Sequence, residues 1–182
     1  MNWPNALSFL RIFSVPLLIW LVAEDYTTGA LWLFALAGAT DALDGFIAKR
    51  FHMETTLGRY LDPLADKLLL LAGFVTLTVL DLLPLWLTLL VVTRDVVIVG
   101  GALVYQTMTG TLEIKPLRIS KVNTVCQMIL LFLVLQHAVH GALQAWLDPL
   151  IWLTALTTLF SGGSYIFEWS KLAAKQERLT RS

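Results

Sequence analysis

Four aspartates could do chemistry in this sequence: Asp41, Asp44, Asp62 and Asp66. The first two are spaced i, i+3 and the second two i, i+4, so each pair shares one face of a helix. Carboxylates converging at membrane depth repel one another and resist loss of water; divalent cations let them stay ionised together. An oxygen-only donor set suits Mg²⁺, Mn²⁺ or Ca²⁺ rather than zinc, and no His–Cys cluster competes. Two carboxylates on each of two neighbouring helices can clamp a pair of cations ~3.5–4 Å apart, which would neutralise a diphosphate and polarise its phosphorus. If a hydroxyl attacks, one carboxylate must act as general base; Asp66, the last of the series, is the choice. Gly45, directly after Asp44, leaves room for a substrate group against the backbone, and Gly58 allows close helix approach beside Asp62. Lys49 and Arg50 offer cations to phosphate oxygens. A single intramembrane aspartate often serves only as the structural partner of a cation, here Lys67 or Arg94, but four carboxylates outnumber such partners.

The elements that position these residues are apolar helices. Of 182 residues, 57% are hydrophobic and 14% charged, against about a quarter charged in an ordinary soluble domain. Apolar segments near the ~20 residues that cross a bilayer recur along the chain. Six helices are expected, over 5–23, 29–51, 60–80, 85–105, 119–139 and from 149 past 169, in one membrane domain covering 1–182 with a basic tail at 170–182. No secretory signal is expected at the start, because Arg11 and Pro16 interrupt the first apolar stretch. Cys126 is unpaired for want of a second cysteine. Lys49, Arg50, Arg59 and Lys67 surround the second connection, and Lys115, Arg118 and Lys121 the fourth. The odd connections carry Glu24, Asp25, Asp81 and Asp148 instead. The positive-inside rule then puts both termini and all four motif aspartates toward the cytoplasm. The seven tryptophans fall mostly near span ends, as an interfacial belt would require.

Asp41, Asp44, Gly45, Ala48, Lys49, then eight residues, Gly58, Asp62 and Asp66 resemble the signature of the CDP-alcohol phosphotransferases, D-x-x-D-G-x-x-A-R-x8-G-x-x-x-D-x-x-x-D. One fixed position differs: Lys49 stands where the family has arginine, keeping the charge and losing the planar fork, with Arg50 directly after it. The resemblance implies an all-α membrane fold of six transmembrane helices that transfers a phosphatidyl group from a CDP-linked lipid to an alcohol and releases CMP. It implies that Asp41, Asp44 and Asp62 hold two divalent ions, Mg²⁺ or Mn²⁺. Asp66 would contact one of them and deprotonate the acceptor. Gly45, Lys49, Thr55 and Gly58 would form the donor site. The segment from Pro4 to Arg11 resembles the family's opening segment, which makes Asn5 and Ser8 donor-site candidates; a helix cap and a polar first turn are their structural alternative. Family members are commonly homodimers.

Three further stretches, Leu33 to Ala48, Thr93 to Val96 and Ile119 to Gln127, resemble the cardiolipin-forming branch of the family, found in mitochondria and some bacteria. That implies CDP-diacylglycerol as donor and phosphatidylglycerol as acceptor, in a bacterial inner membrane with the site facing the cytoplasm. Arg94 is costly at mid-helix and is expected to face the bundle, forming with Arg118 and Lys121 a cationic pocket for an anionic acceptor. A pair between Arg94 and Asp95 is disfavoured because adjacent residues diverge on a helix. Asn123, with Gln127, would contact a headgroup or bond between helices. Glycerol 3-phosphate would suit the same cations, so a phosphatidylglycerophosphate-forming enzyme is the alternative. A cation transporter is more remote, since no acidic path continues across the membrane. Nucleic acid is not an expected partner.

Overall fold

The computed structural model describes residues 3–51, 58–109, 118–141 and 143–180, with side chains at 9–40, 64–104, 107, 118–141 and 143–171. All regular structure among the described residues is helical: α1 Trp3–Ala23, α2 Thr27–Phe51, α3 Gly58–Val79, α4 Leu85–Thr109, α5 Arg118–His140 and α6 Gln144–Thr180. These bounds match the expected helices closely. The main difference is at α6, which begins ahead of Pro149 and runs through it. Its start is fixed by Trp146 N–H donating to the Leu143 carbonyl at 3.0 Å.

The odd-numbered connections are tight turns built on left-handed residues. Asp25 (φ 59°) and Asp81 (φ 58°) follow α1 and α3, and Gly141 (φ 70°) follows α5. In the first, Tyr26 N–H reaches back to the Leu21 carbonyl at 2.8 Å; in the second, Leu82 N–H reaches the Leu77 carbonyl at 2.9 Å. These bonds satisfy carbonyls that a helix end leaves without partners. Asp25 and Asp81 therefore have a local duty as caps. Aspartate is one of the few non-glycine residues that visits the left-handed region.

Among the described residues, three helical stretches are long and apolar enough to cross a membrane: Leu85–Val104, Arg118–His140 and Gln144–Lys171. Shorter apolar stretches cover Phe9–Ala23 and Thr27–Thr40. Large apolar side chains such as Val96, Val99, Leu103, Trp152, Leu156 and Phe160 point outward. In water such a surface would be a liability; against lipid it is the expected exterior. The chain is an integral membrane protein.

Two compact units make up the chain. One comprises Met1–Pro84 and Met128–Leu147, the other Leu85–Gln127 and Asp148–Ser182. In the first, α1 packs against both α2 and α3. Its core is apolar, with Leu18, Phe34, Leu69, Phe74, Leu77 and Leu131 buried. The second unit is held differently. Thr88, Arg94, Asn123, Gln127, Thr154, Thr158 and Ser161 are all buried in it. Lipid tails are as apolar as leucine, so helices in a membrane gain little by hiding apolar surface from one another. Close approach at small residues and hydrogen bonds between helices hold them instead. Gly101 is such a small residue: the Trp169 ring lies where a Cβ would be, 1.7 Å from Cζ3. Trp169 is thus a packing residue as well as a span-end tryptophan.

Candidate functional site

In the first unit three buried stripes turn polar at the same end. On α1 the stripe runs Val22, Leu18, Ser14, Arg11, all buried. On α2 it runs Ala30, Phe34, Ala37, and the helical repeat continues it to Asp41 and Asp44. On α3 it runs Leu77, Gly73, Leu69, Asp66, and the same repeat continues it to Asp62. The short first connection makes α1 and α2 antiparallel. Leu18 and Val22 share a small cavity with Phe34, Gly73 and Leu77. The start of α1, the end of α2 and the start of α3 therefore lie together.

Asp66 shows what this end does. Arg11 Nη1 donates to Asp66 Oδ1 at 2.6 Å, with the two side chains 4% and 25% exposed. The Arg11 carbonyl accepts from Ser14 Oγ at 2.6 Å. The ion pair joins α1 to α3 and gives the carboxylate a cation at membrane depth, where an uncompensated charge is costly. The sequence alone offers Lys67 and Arg94 as partners for an intramembrane aspartate; the structure brings Arg11 to this one. The available signal was an arginine inside an apolar stretch, three residues past Ser8.

Asn5, Ser8, Asp41, Asp44, Gly45, Lys49, Gly58 and Asp62 are described as helix backbone only, and Thr55 and His52 lie outside the described residues. Among the described residues no three His, Cys, Asp or Glu side chains converge on a metal position. Asp66 is the only one of the four aspartates whose side chain is among them. An all-aspartate set suits a hard divalent cation, and the register of α2 and α3 puts two aspartate positions of each helix at one end of the unit.

The second unit contains the arginine half of the expected site. Arg94, 5% exposed at its side chain, places Nη1 2.6 Å from Asp95 Oδ1. Its Nε and Nη2 donate to Ser161 Oγ at 3.1 and 2.6 Å, and Nη2 also donates to Ser120 Oγ. Arg94 faces the bundle as expected, but contrary to expectation it pairs with Asp95. Neighbouring Cβ atoms do diverge, yet the long guanidinium arm curls back to the next residue's carboxylate. Ser161 was not singled out from sequence. Gly162 beside it lets α6 approach, a Cβ there lying 3.5 Å from Arg94 Cγ.

Arg118 and Lys121 are exposed on the first turns of α5. Asn123 is fully buried, and its Oδ1 accepts from Thr157 Oγ1 at 3.0 Å and Thr158 Oγ1 at 2.8 Å. Its oxygen therefore bonds between helices, the second of the two roles its sequence position allows. Asn123 Nδ2, Gln127 Nε2 and Thr154 Oγ1 are buried and have no partner among the described residues.

A family model described as CDP-alcohol phosphatidyltransferase matches residues 1–160. The chain is 39% identical to a human protein named cardiolipin synthase (CMP-forming), over 89% of this chain and 60% of that one. It is 37% identical to a Schizosaccharomyces pombe protein named as a fusion of cardiolipin synthase (CMP-forming) and a mitochondrial hydrolase, over 89% of this chain and 30% of the fusion. It is 29% identical to a Bacillus subtilis protein named CDP-diacylglycerol–glycerol-3-phosphate 3-phosphatidyltransferase, over 94% of this chain and 97% of that one. The chain thus spans less than two thirds of the human and fission-yeast relatives.

Proposed function

The chain belongs to the CDP-alcohol phosphatidyltransferase family, and we propose that it is a cardiolipin synthase, moving the phosphatidyl group of CDP-diacylglycerol onto the glycerol hydroxyl of phosphatidylglycerol. The acceptor oxygen forms a bond to the phosphorus that bears diacylglycerol. The diphosphate bridge breaks, and CMP leaves with the bridging oxygen. The observation that carries the reading is the Asp66 carboxylate, held by Arg11 at the polar end of three helices. Asp66 takes the proton of the attacking hydroxyl. Gly45, Gly58, Lys49 and Thr55, with Asn5 and Ser8, bind the donor. Arg94, Arg118 and Lys121 bind the acceptor phosphodiester, with Asn123 bracing α5 against α6 beside them.

Asp41, Asp44, Asp62 and Asp66 would hold two divalent cations, Mg²⁺ or Mn²⁺. Bound there, these supply charge neutralisation at the diphosphate and polarisation of its phosphorus. The protein works as one domain over 1–182, with six spans and both termini on the cytoplasmic side of a bacterial inner membrane, and as a homodimer. The clustering of Lys and Arg at the even connections supports that orientation.

A second reading, transfer to glycerol 3-phosphate, is favoured by the Bacillus subtilis relative, which the chain covers almost end to end. The test gives purified full-length protein CDP-diacylglycerol with Mg²⁺ or Mn²⁺ and each acceptor in turn. Cardiolipin and CMP from phosphatidylglycerol are expected. CMP release with glycerol 3-phosphate alone would move the assignment to the second reading.

A further inference from the structure

We propose that the apolar groove between α1 and α2 holds an acyl chain of the CDP-diacylglycerol donor; this rests on the reaction proposed above. The groove has a volume of about 290 Å³. Phe13 and Leu17 of α1 and Leu33 and Leu36 of α2 form its walls, while Arg11 and Thr40 stand at one end. Because α1 and α2 are antiparallel, Arg11 lies opposite Thr40, and Leu17 opposite Leu33. The trough therefore runs about 9 Å along the helices, six residues of α1 at the ordinary rise, from a polar mouth into hydrocarbon.

The mouth decides which lipid enters. Past Arg11, α1 continues to Ser8 and Asn5; past Thr40, α2 continues to Asp41, Asp44 and Gly45. Both helices thus lead from the groove directly into residues assigned to the donor. A lipid whose diphosphate sits among them has its glycerol at the mouth and a tail pointing down the groove. The walls offer that tail apolar contact, and the hydroxyl of Ser14, which also lines the groove, already donates to the Arg11 carbonyl. A second crevice, about 300 Å³, lies between α2, α3 and α5, walled by Phe34, Leu69, Ile129 and Phe132. It has no charged or hydrogen-bonding side chain along it, so nothing there would retain a headgroup, and it serves as the control.

The experiment compares two donors, CDP-dioleoylglycerol and CDP-diacetylglycerol, in Leu17→Trp and Leu36→Trp. Leu17 and Leu36 are 44% and 61% exposed, so an indole there occupies the open groove and leaves the buried stripe alone. The KM for the long-chain donor should rise about tenfold, equivalent to ~1.4 kcal/mol. The KM for the short-chain donor and for phosphatidylglycerol should hold. Ile129→Trp should change none of the three. Equal losses with both donors, or a rise confined to phosphatidylglycerol, would overturn the proposal. As a measurement independent of turnover, CDP-diacylglycerol carrying a diazirine in the first half of one tail should label residues 13–17 or 33–36 of the unmutated protein. Label at 128–133 instead would overturn it. Labelling of the groove without CMP release from any acceptor would sink the reaction and leave the groove standing. CMP release with label elsewhere would sink the groove alone.

Discussion

Among the described residues two arginines lie buried between helices, and they are held in opposite ways. Arg11 in the first unit is tied to a carboxylate 55 residues away on another helix. Arg94 in the second takes its carboxylate from the next residue and reaches other helices through the neutral hydroxyls of Ser120 and Ser161. An ion pair between helices is hard to exchange, because removing either partner takes a full countercharge from the other where little water reaches it. Hydroxyl partners are easier to give up, since a hydroxyl turns to another acceptor at little cost while the charged group finds a stronger one. The difference separates two tasks. In the reaction proposed above, Arg11 would fix a group that must stay in place, whereas Arg94 would be held ready to trade its serines for a ligand phosphate.

That contrast is broken or sharpened first at Asp66. Asp66→Asn should lower CMP release by about 10²–10⁴-fold, the range for loss of a general base. It should keep more metal affinity than Asp41→Ala, Asp44→Ala or Asp62→Ala, as read by calorimetric Mn²⁺ titration. Equal loss of affinity in all four would erase the division of roles. Arg11→Ala comes next. It leaves Asp66 without its described ion pair, a change worth ~3–5 kcal/mol in a fully buried pair and less here because Asp66 is partly exposed. Unfolding in detergent should show the loss, and kcat should fall with it. Arg11→Lys should recover part of both, charge being kept and the fork lost. Arg94→Ala should act on the other axis, raising the phosphatidylglycerol KM more than tenfold with the donor KM unchanged. Ser161→Ala should raise it less, one neutral partner being gone. If Arg94→Ala weakened donor and acceptor alike, the two arginines would not have separate tasks.

The parts legible from sequence are those written in local spacing. Helix bounds followed from apolar runs, and the two aspartate pairs from i, i+3 and i, i+4 repeats. Their convergence could be argued only from charge balance. What escaped depends on which residues meet across helices. Arg11 looked like an interruption of an apolar stretch; its partner is on α3, and no spacing encodes that distance. Ser161 is one of several hydroxyl residues on α6, and only the approach at Gly162 distinguishes it. Asp95 failed for a different reason: backbone direction was allowed to stand for side-chain reach, and arginine is long enough to defeat that shortcut. Asp25 and Asp81 were read as topology markers, while their positive φ values show caps that hydropathy does not register.

The smallest expected effects compare how the two units pack, at one glycine in each. A Cβ on Gly101 would meet the Trp169 ring at 1.7 Å, and a ring packed between helices has no short rotation that clears it. Gly101→Ala should therefore cost about 1–3 kcal/mol, the usual penalty of overpacking. A Cβ on Gly73 would meet the Leu131 side chain, most closely Cδ1 at 2.9 Å, which is the far end of a flexible side chain. The neighbour can turn aside, and alanine gains about 1 kcal/mol over glycine inside a helix. Gly73→Ala should thus unfold within about 0.5 kcal/mol of the parent, the spread of an ordinary neutral substitution. Matching losses at the two sites in detergent unfolding would mean that the apolar unit is packed as rigidly as the polar one. Asp66 would then be held in place by the whole core of its unit as well as by the ion pair with Arg11.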